Sequence, residues 1–482
     1  MKDMSYLAVM GRKNDIMKEA VGLDYSVYEH GNIAFDYEKM MASVGYSIED
    51  IVKIQKETKV GGTPLVELKN ITALVRKYSK EGKGARIFVK DEAANASGSF
   101  KARRAAISVY HAKKMGYKGV IAATSGNYGA AVASQAAQLG LKCIIVQEVF
   151  DSKKIGQPEI LEKTRKCEAL GAEVIQLTVG PELFYTFLKL LEETGYFNAS
   201  LYTPFGIAGV ESLGYELANQ MMEMEGKYPD VVVATHAGGG NLTGTKRGLN
   251  LAGAKDTKIV AASVDLSGLH MASDHAFNKK SFTTGHTGFG VPFATWPDRS
   301  DVPRNAARVL RYMDRYVTVT QGEVFYVTEA LAQVEGIERG PAGNTSLAAA
   351  ISIAKEMDED QIIVVQETEY TGAGKHPMPQ LTFAKQNGIE IRRGNPTENI
   401  PGKNIVIPWN MGDIQSNDLD LDRLKNNFIK NAVANNKLEE IEEEDILYLT
   451  EEVNKDRDFV VKRLEELGVK ITNNKKLSIK IL

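Results

Sequence analysis

The sequence predicts an α/β protein in which helices cover both faces of two wound, mostly parallel sheets. From residue 61 onward, short apolar runs alternate with helical patterns, as expected for strands that are joined by helical crossovers. Glycine-rich loops follow several of these runs and lead directly into helices. The 482 residues, 43% of them apolar, are enough for two domains with separate cores.

The alternation also suggests the domain boundaries. Residues 1–60 read as an N-terminal extension of irregular segments and short helices. A large domain is predicted from 61–105 together with 206–394, and a small α/β domain from 106–205. Proline-containing segments after residue 394 predict a linker, so residues 395–482 form a C-terminal helical extension.

The individual elements follow from composition and from helix-end signals. The predicted strands are apolar and rich in β-branched residues: 85–89, 120–123, 143–147, 173–177, 231–235, 259–264 and 362–365. Helices are predicted over 102–115 and 158–170, with Ser47 as the N-cap of an earlier one. In the C-terminal extension, Thr450 is predicted to cap a helix that stops at Gly468.

Composition excludes several classes of function. The net charge of −3 gives no basic surplus for nucleic acid or an anionic membrane. The two cysteines, Cys143 and Cys167, are not in a C-x-x-C pair, and the seven histidines are scattered, so we predict neither a disulfide scaffold nor a metal site. The first residues lack an apolar signal region and no apolar run reaches the roughly 20 residues that span a bilayer, which predicts a cytoplasmic protein.

The segment 97–104, Ser-Gly-Ser-Phe-Lys-Ala-Arg-Arg, places Lys101 between a loop of small residues and a helix. A lysine acts as a nucleophile or base when it is partly desolvated on a rigid element that faces a cofactor. A helix N-terminus would also attract an anionic ligand. We therefore predict that Lys101 is catalytic and carries an aldehyde cofactor, although an isolated lysine of this kind is more often a solvated surface group.

A glycine turn after the strand 231–235 predicts a phosphate site. In Ala237-Gly238-Gly239-Gly240-Asn241, backbone amides can close on a phosphate with no side chain in the way. Glycine also serves tight turns, so the pattern is weak by itself. The next glycine is Gly244, a spacing that does not match the dinucleotide fingerprint, which disfavours a nicotinamide cofactor without excluding it.

A second loop, Thr124-Ser125-Gly126-Asn127-Tyr128-Gly129, offers hydroxyls and backbone N–H groups at the start of another helix. Thr124, Ser125 and Gly126 suit a substrate carboxylate, and Asn127 can hydrogen-bond a phenolic oxygen. The plainer interpretation of the same residues is an N-capped helix.

Five motifs in order resemble the tryptophan-synthase-β-like family of fold-type-II pyridoxal-phosphate enzymes, over roughly residues 60–390. They are Gly61-Gly62-Thr63-Pro64-Leu65, Ser99-Phe100-Lys101-Ala102-Arg103, Thr124 to Gly129, Ala237 to Asn241, and Glu335-Gly336-Ile337. The resemblance implies that pyridoxal 5′-phosphate is bound covalently by Lys101. It also implies that Asn127 lies beside the ring oxygen and that Gly238, Gly239, Gly240 and Asn241 hold the phosphate.

Two further cofactor contacts are implied by the resemblance. Thr368, just beyond the strand 362–365, corresponds to the hydroxyl residue that faces the ring nitrogen, and Glu335 is expected near the same edge. Glu367 and Glu369 flank Thr368, and a carboxylate at the ring nitrogen would strengthen the electron sink.

Over the whole chain, including both extensions, the sequence resembles members of the family that use coenzyme A and work with a small α subunit. The implied reaction is thiolytic cleavage of 2-amino-4-oxopentanoate by coenzyme A to acetyl-CoA and alanine, in ornithine degradation. The implied assembly is a heteromer that contains a homodimer of this chain. Generic basic candidates for coenzyme A are Arg103, Arg104, Lys113 and Lys114. The alternatives are a lyase or threonine-synthase-like enzyme and, from another class, a non-catalytic regulatory subunit.

Overall fold

The structure is a computed structural model that describes residues 2–124, 126–150, 154–156, 158–266, 281–283, 291–299, 301–370 and 377–472. The N-terminal segment consists of short elements: α1 Tyr6–Gly11, α2 Lys13–Val21, β1 Glu29–His30, β2 Ala34–Phe35, α3 Tyr37–Ala42 and α4 Ile48–Glu57. Ser47 accepts a hydrogen bond from Asp50 N at 3.2 Å, and the Asp50 carboxylate accepts one from Ser47 N at 3.1 Å. This capping box confirms the predicted N-cap.

The next stretch alternates strands and helices: β3 Leu65–Glu67, α5 Lys69–Lys77, β4 Arg86–Asp91, α6 Lys101–Lys114, β5 Gly119–Thr124, α7 Asn127–Leu139, β6 Lys142–Phe150, α8 Pro158–Ala169, β7 Glu173–Thr178, α9 Glu182–Thr194 and β8 Phe197–Asn198. The alternation then continues: α10 Pro204–Glu225, β9 Val231–Thr235, α11 Gly240–Leu251, β10 Lys258–Val264, α12 Val291–Thr295, β11 Arg315–Val319, α13 Gln321–Glu335, α14 Pro341–Ala354, β12 Ile362–Glu367 and α15 Pro377–Gln386.

The remaining elements form the C-terminal part: β13 Glu390–Arg393, β14 Asn404–Ile407, β15 Asn417–Asp418, α16 Leu421–Asn436, β16 Glu440–Ile441, α17 Glu443–Val453, α18 Arg457–Glu466 and β17 Lys470–Ile471. The predicted cap at Thr450 is wrong, because this residue lies inside α17. Asn454 adopts a left-handed conformation that ends α17, and Asp456 caps α18 by accepting from Phe459 N at 2.9 Å.

Two sheets organise the described residues. The larger has the strand order β15-β11-β10-β9-β12-β4-β3, and its five inner strands run parallel while the two outer ones pair antiparallel. The smaller has the order β7-β6-β5-β8 and is parallel throughout. Two wound, mostly parallel sheets are therefore confirmed.

The predicted domain limits cut through elements. Residues 105 and 205 lie within α6 and α10, and the limit at 394 separates β13 from β14, which pair in parallel. The C-terminal extension also supplies β15 to the large sheet. The division into a large and a small domain stays a proposal, supported by the two separate sheets.

The close packing of α10 against α6 depends on Gly209 of α10. A Cβ at this position would overlap the backbone of α6 at Arg103 O. We expect Gly209→Ala to lower the free energy of unfolding by about 1–3 kcal/mol, because the backbones would have to separate. Urea denaturation measures this effect. The control is Gly11→Ala at the end of α1, where an added Cβ meets nothing within 4 Å; equal losses in the two variants would contradict the packing argument.

No helix of the described residues is both long and apolar enough to cross a membrane.

Candidate active site

The candidate site lies where parallel strands of the large sheet end. The strands β4, β12 and β9 are direct neighbours, so their carboxyl ends meet at one edge of the sheet. Segments that follow these three strands contain Lys101, Thr368 and the glycine turn, respectively. In open α/β sheets this edge is where ligands bind.

Lys101 is the first residue of α6, and the loop before it is fixed to the end of β12. Phe100 N donates to Thr368 O at 3.0 Å, and Tyr370 N donates to Gly98 O at 2.8 Å. These backbone bonds hold the lysine segment and the Thr368 segment together as one unit. Lys101 is partly buried there, and its role as the lysine that faces the cofactor stays a prediction.

A buried ionic network supports the first turn of α6. The Arg103 guanidinium donates to both oxygens of Glu92 at 2.7 and 2.8 Å, and both side chains are 0% exposed. Arg103 also contacts Glu216 at 3.2 Å, and Lys90 Nζ donates to Glu216 at 2.5 Å. Thr63 Oγ1 donates to Glu92 at 2.6 Å. With this many fixed partners, Arg103 orients α6 and is not available to coenzyme A.

Asn127, the first residue of α7, has a partner that the sequence did not predict. Its side-chain amide donates to the carboxylate of Glu369, which follows Thr368 beyond β12. This contact connects the small sheet to the edge of the large sheet and orients the amide. The placement brings Asn127 to the same region as Thr368 and the Lys101 loop, and its contact with the cofactor ring stays a prediction.

In the predicted substrate loop, Thr124 Oγ1 accepts a hydrogen bond from Gly126 N at 3.1 Å. Ser125 lies outside the described residues. The helix α8 places two lysines here that sequence analysis missed: a Cβ on Gly126 would lie 3.1 Å from Lys163 Nζ, and Lys166 Nζ donates to Ser97 O at 2.7 Å. No sequence motif connects α8 to this loop, so the proximity of the two lysines to it is seen only in the folded structure.

The glycine turn fits a phosphate group. Gly239 has φ +82° and is the N-cap of α11, which begins at Gly240. A Cβ on Gly238 would lie 2.5 Å from Tyr202 Oη, so a larger residue would close the turn. Asn241 is 5% exposed, and among the described residues its amide nitrogen and oxygen have no hydrogen-bond partner. An anion at a helix N-terminus would satisfy such groups.

Thr368 and Glu335, both predicted to contact the cofactor, make contacts with other parts of the protein. Thr368 is buried, and its backbone carbonyl accepts a hydrogen bond from Phe100 N. The carboxylate of the preceding Glu367 packs against Gly343, near the start of α14. Glu335 accepts a hydrogen bond from Ile71 N at 2.8 Å, near the N-terminus of α5. This contact gives Glu335 a structural function, and its role at the cofactor stays a prediction.

No group of three or more His, Cys, Asp or Glu side chains arranged to hold a metal ion occurs within the described parts of the chain. A lysine at a helix start, an asparagine loop and a glycine turn that suits a phosphate together describe a site for an anionic aldehyde cofactor.

Comparison with known sequences gives the class directly. Residues 56–369 match the family of pyridoxal-phosphate dependent enzymes, and the chain belongs to it. The cofactor is pyridoxal phosphate, as the five motifs predicted.

Two curated proteins match nearly the whole chain at high identity. The chain is 69% identical over 466 residues to the 2-amino-4-ketopentanoate thiolase beta subunit of Acetoanaerobium sticklandii, covering 97% of this chain and 99% of the relative. A protein of the same name from an unknown prokaryotic organism is 68% identical over 470 residues, covering 98% and 100%. A threonine synthase of a Bacillus species is 26% identical over 296 residues, covering 60% of this chain and 76% of the relative.

Solved structures support the fold. Cysteine synthase from Entamoeba histolytica matches with a TM-score of 0.53 and 22% identity, covering 69% of this chain and 95% of that chain. O-Ureido-L-serine synthase matches with a TM-score of 0.51 and 22% identity, covering 65% and 91%. The fold-type-II architecture predicted from the motifs is confirmed.

Proposed function

We propose that this chain is the catalytic β subunit of a two-subunit thiolase that cleaves 2-amino-4-oxopentanoate with coenzyme A to acetyl-CoA and alanine, in ornithine degradation. The observation that carries the proposal is the 69% identity over 97% of the chain to a protein named for this role. Because the match also covers 99% of that relative, it includes both terminal extensions as well as the cofactor-binding region.

The bond changes of this reaction balance without a redox partner. The thiolate of coenzyme A attacks the 4-carbonyl carbon, and the bond between C3 and C4 breaks. The acetyl group leaves as acetyl-CoA. The electron pair of the broken bond remains on the three-carbon amino acid, where C3 takes up a proton to give alanine.

The residues of the site have distinct tasks in this chemistry. When bound, pyridoxal phosphate supplies an electron sink for negative charge at the α-carbon of the substrate. Lys101 would hold the aldehyde carbon of the cofactor and, once released, move the α-proton as general base. The loop that begins at Thr124 would bind the substrate carboxylate, with the positive charge of Lys163 beside Gly126. Glu369 would orient Asn127 toward the ring.

The cysteines are poor candidates for the acyl carrier that other thiolases use. Cys143 and Cys167 are both buried. Burial raises the pKa of each thiol to about 12, so the reactive thiolate is scarce near neutral pH. The chemistry therefore favours direct attack by coenzyme A over transfer through a protein thiol.

The same relatives, named as β subunits, support a small α subunit as the partner. Among the basic candidates for coenzyme A, Arg103 and Arg104 are buried, whereas Lys113 and Lys114 on α6 are exposed. We propose that the α subunit completes the coenzyme A site, that the β chains form a homodimer within the heteromer, and that the enzyme works in the cytoplasm.

A lyase or threonine-synthase-like reaction is the second candidate, favoured by the 26% identity to a threonine synthase over 60% of the chain. Such an enzyme would turn over an amino acid without coenzyme A. A non-catalytic subunit is disfavoured, because Lys101 and the glycine turn are both present at one sheet edge.

The deciding experiment combines the purified chain and its partner subunit with 2-amino-4-oxopentanoate and coenzyme A. We expect acetyl-CoA and alanine in equal amounts, and neither product when coenzyme A is left out. Omission of the partner subunit is the control for its contribution. Consumption of the amino acid at the same rate without coenzyme A would exclude the thiolase proposal and support the lyase alternative.

A further inference from the structure

Arg104 is a buried cation one turn after Lys101 on α6. Residues three apart on a helix are neighbours on one face, so Arg104 lies on the side of α6 that presents Lys101. Its side chain is 3% exposed. The NH1 group donates to Leu201 O at 3.2 Å, while Nε has no hydrogen-bond partner in the described part of the chain.

Among the described residues the charge of Arg104 meets no carboxylate, and its Cζ lies 5.6 Å from the centre of the Phe100 ring. No carboxylate among the described residues forms an ion pair with it, whereas the adjacent Arg103 contacts both Glu92 and Glu216. Burial lowers the pKa of Arg104, with only the nearby Tyr128 and Tyr202 opposing it. A buried charge without a partner is costly, so an anion from outside the chain is expected beside this guanidinium.

The guanidinium lies against the glycine turn. A Cβ on Gly240 would overlap the NH2 group of Arg104. Because Cα–Cβ bonds in a helix tilt toward the N-terminus, a group at that position lies at the end of α11 that exposes backbone N–H donors. Asn241, whose amide has no partner among the described residues, is the next residue. Three kinds of donor therefore converge at one place.

We propose that Arg104 is a ligand of the cofactor phosphate, in addition to the amides of the glycine turn. The guanidinium would pair with the phosphate dianion, and the dianion would compensate the buried charge. This role explains why position 240 has no side chain, since a Cβ would displace Arg104. The proposal rests on the pyridoxal-phosphate family alone and is independent of the thiolase reaction.

The test compares two ligands that differ only in the phosphate. The full chain is freed of cofactor and titrated with pyridoxal phosphate and, separately, with pyridoxal, following visible absorbance. A charged hydrogen bond is worth a factor of about 10–100 in affinity, so Arg104→Met should weaken pyridoxal phosphate binding by that factor. Binding of pyridoxal should change less than about threefold, because it has no group for Arg104 to contact.

Two further variants complete the design. Arg104→Lys keeps the charge and should recover part of the affinity for pyridoxal phosphate, and it serves as the main test if the methionine variant does not fold. Lys113→Met removes an exposed charge from the same helix and should bind both ligands like the wild type. Unchanged affinity for pyridoxal phosphate in the Arg104 variants, or an equal loss for both ligands, would overturn the assignment.

Discussion

Replacing Lys101 with alanine is expected to abolish the covalent attachment of the cofactor and to lower turnover by about 10³-fold or more. The variant loses both the amine that holds the aldehyde and the general base that moves the α-proton. Borohydride reduction followed by peptide mass analysis should find the cofactor on the peptide that contains Lys101 in the wild type, and on no peptide in the variant. Steady-state turnover measures the second effect.

The matched control for this prediction is Lys118→Ala, which removes an exposed lysine just beyond the end of the same helix. It should keep the reducible attachment and turn over like the wild type. If Lys101→Ala retained full turnover and its visible absorbance band, the assignment of the catalytic lysine would fail, whatever the substrate.

Glu92→Gln is expected to lower the free energy of unfolding by about 3–5 kcal/mol, because the substitution leaves the fully buried Arg103 facing a neutral amide. The change keeps the size of the side chain, so the loss reports charge pairing and not a cavity. Chemical denaturation measures it. Glu443→Gln, at the exposed pair with Arg457, should have a much smaller effect. Equal effects of the two substitutions would contradict a special role for the buried network.

The same network predicts how stability depends on pH. Burial opposes ionisation of Glu92 and Glu216, but Arg103 and Lys90 together outweigh it, so the pKa of Glu92 lies below its ordinary value and that of Glu216 falls to about 2. A depressed pKa contributes stability that is present above the unfolded-state value, near 4.3, and is lost as the pH falls toward the folded value. Glu92→Gln should therefore flatten the stability profile in the acid range.

Local sequence patterns were sufficient for most of the fold. The strands β4, β5, β9 and β12 and the start of α4 follow from short-range signals, namely apolar runs and a capping box. The end of α17 did not follow, because Asn454 in a left-handed conformation interrupts a helical pattern whose apolar residues continue on both sides. The edge strand β15 has only two residues and no apolar run to reveal it.

The candidate site was predictable where its residues lie in motifs and not where it depends on tertiary contacts. Lys101, Asn127 and the glycine turn stand in local patterns of small residues before helices. The contact of Glu369 with Asn127 joins residues 242 positions apart. Arg103 and Arg104 are adjacent and identical in the sequence, yet they have different environments in the fold. Arg103 pairs with two carboxylates, whereas Arg104 lies against the glycine turn.

The short pairing of β15 with β11 has a consequence for any shortened form of the chain. Asp418 and Asn417 cover the outer side of Val317 and Thr318, at the rim of the large sheet. Without that cover, β11 would present unpaired backbone groups in an extended row, which is a template for intermolecular strand addition. Removing the acidic C-terminal part would therefore make the chain more prone to self-association during refolding, even though the candidate cofactor-binding residues would all remain.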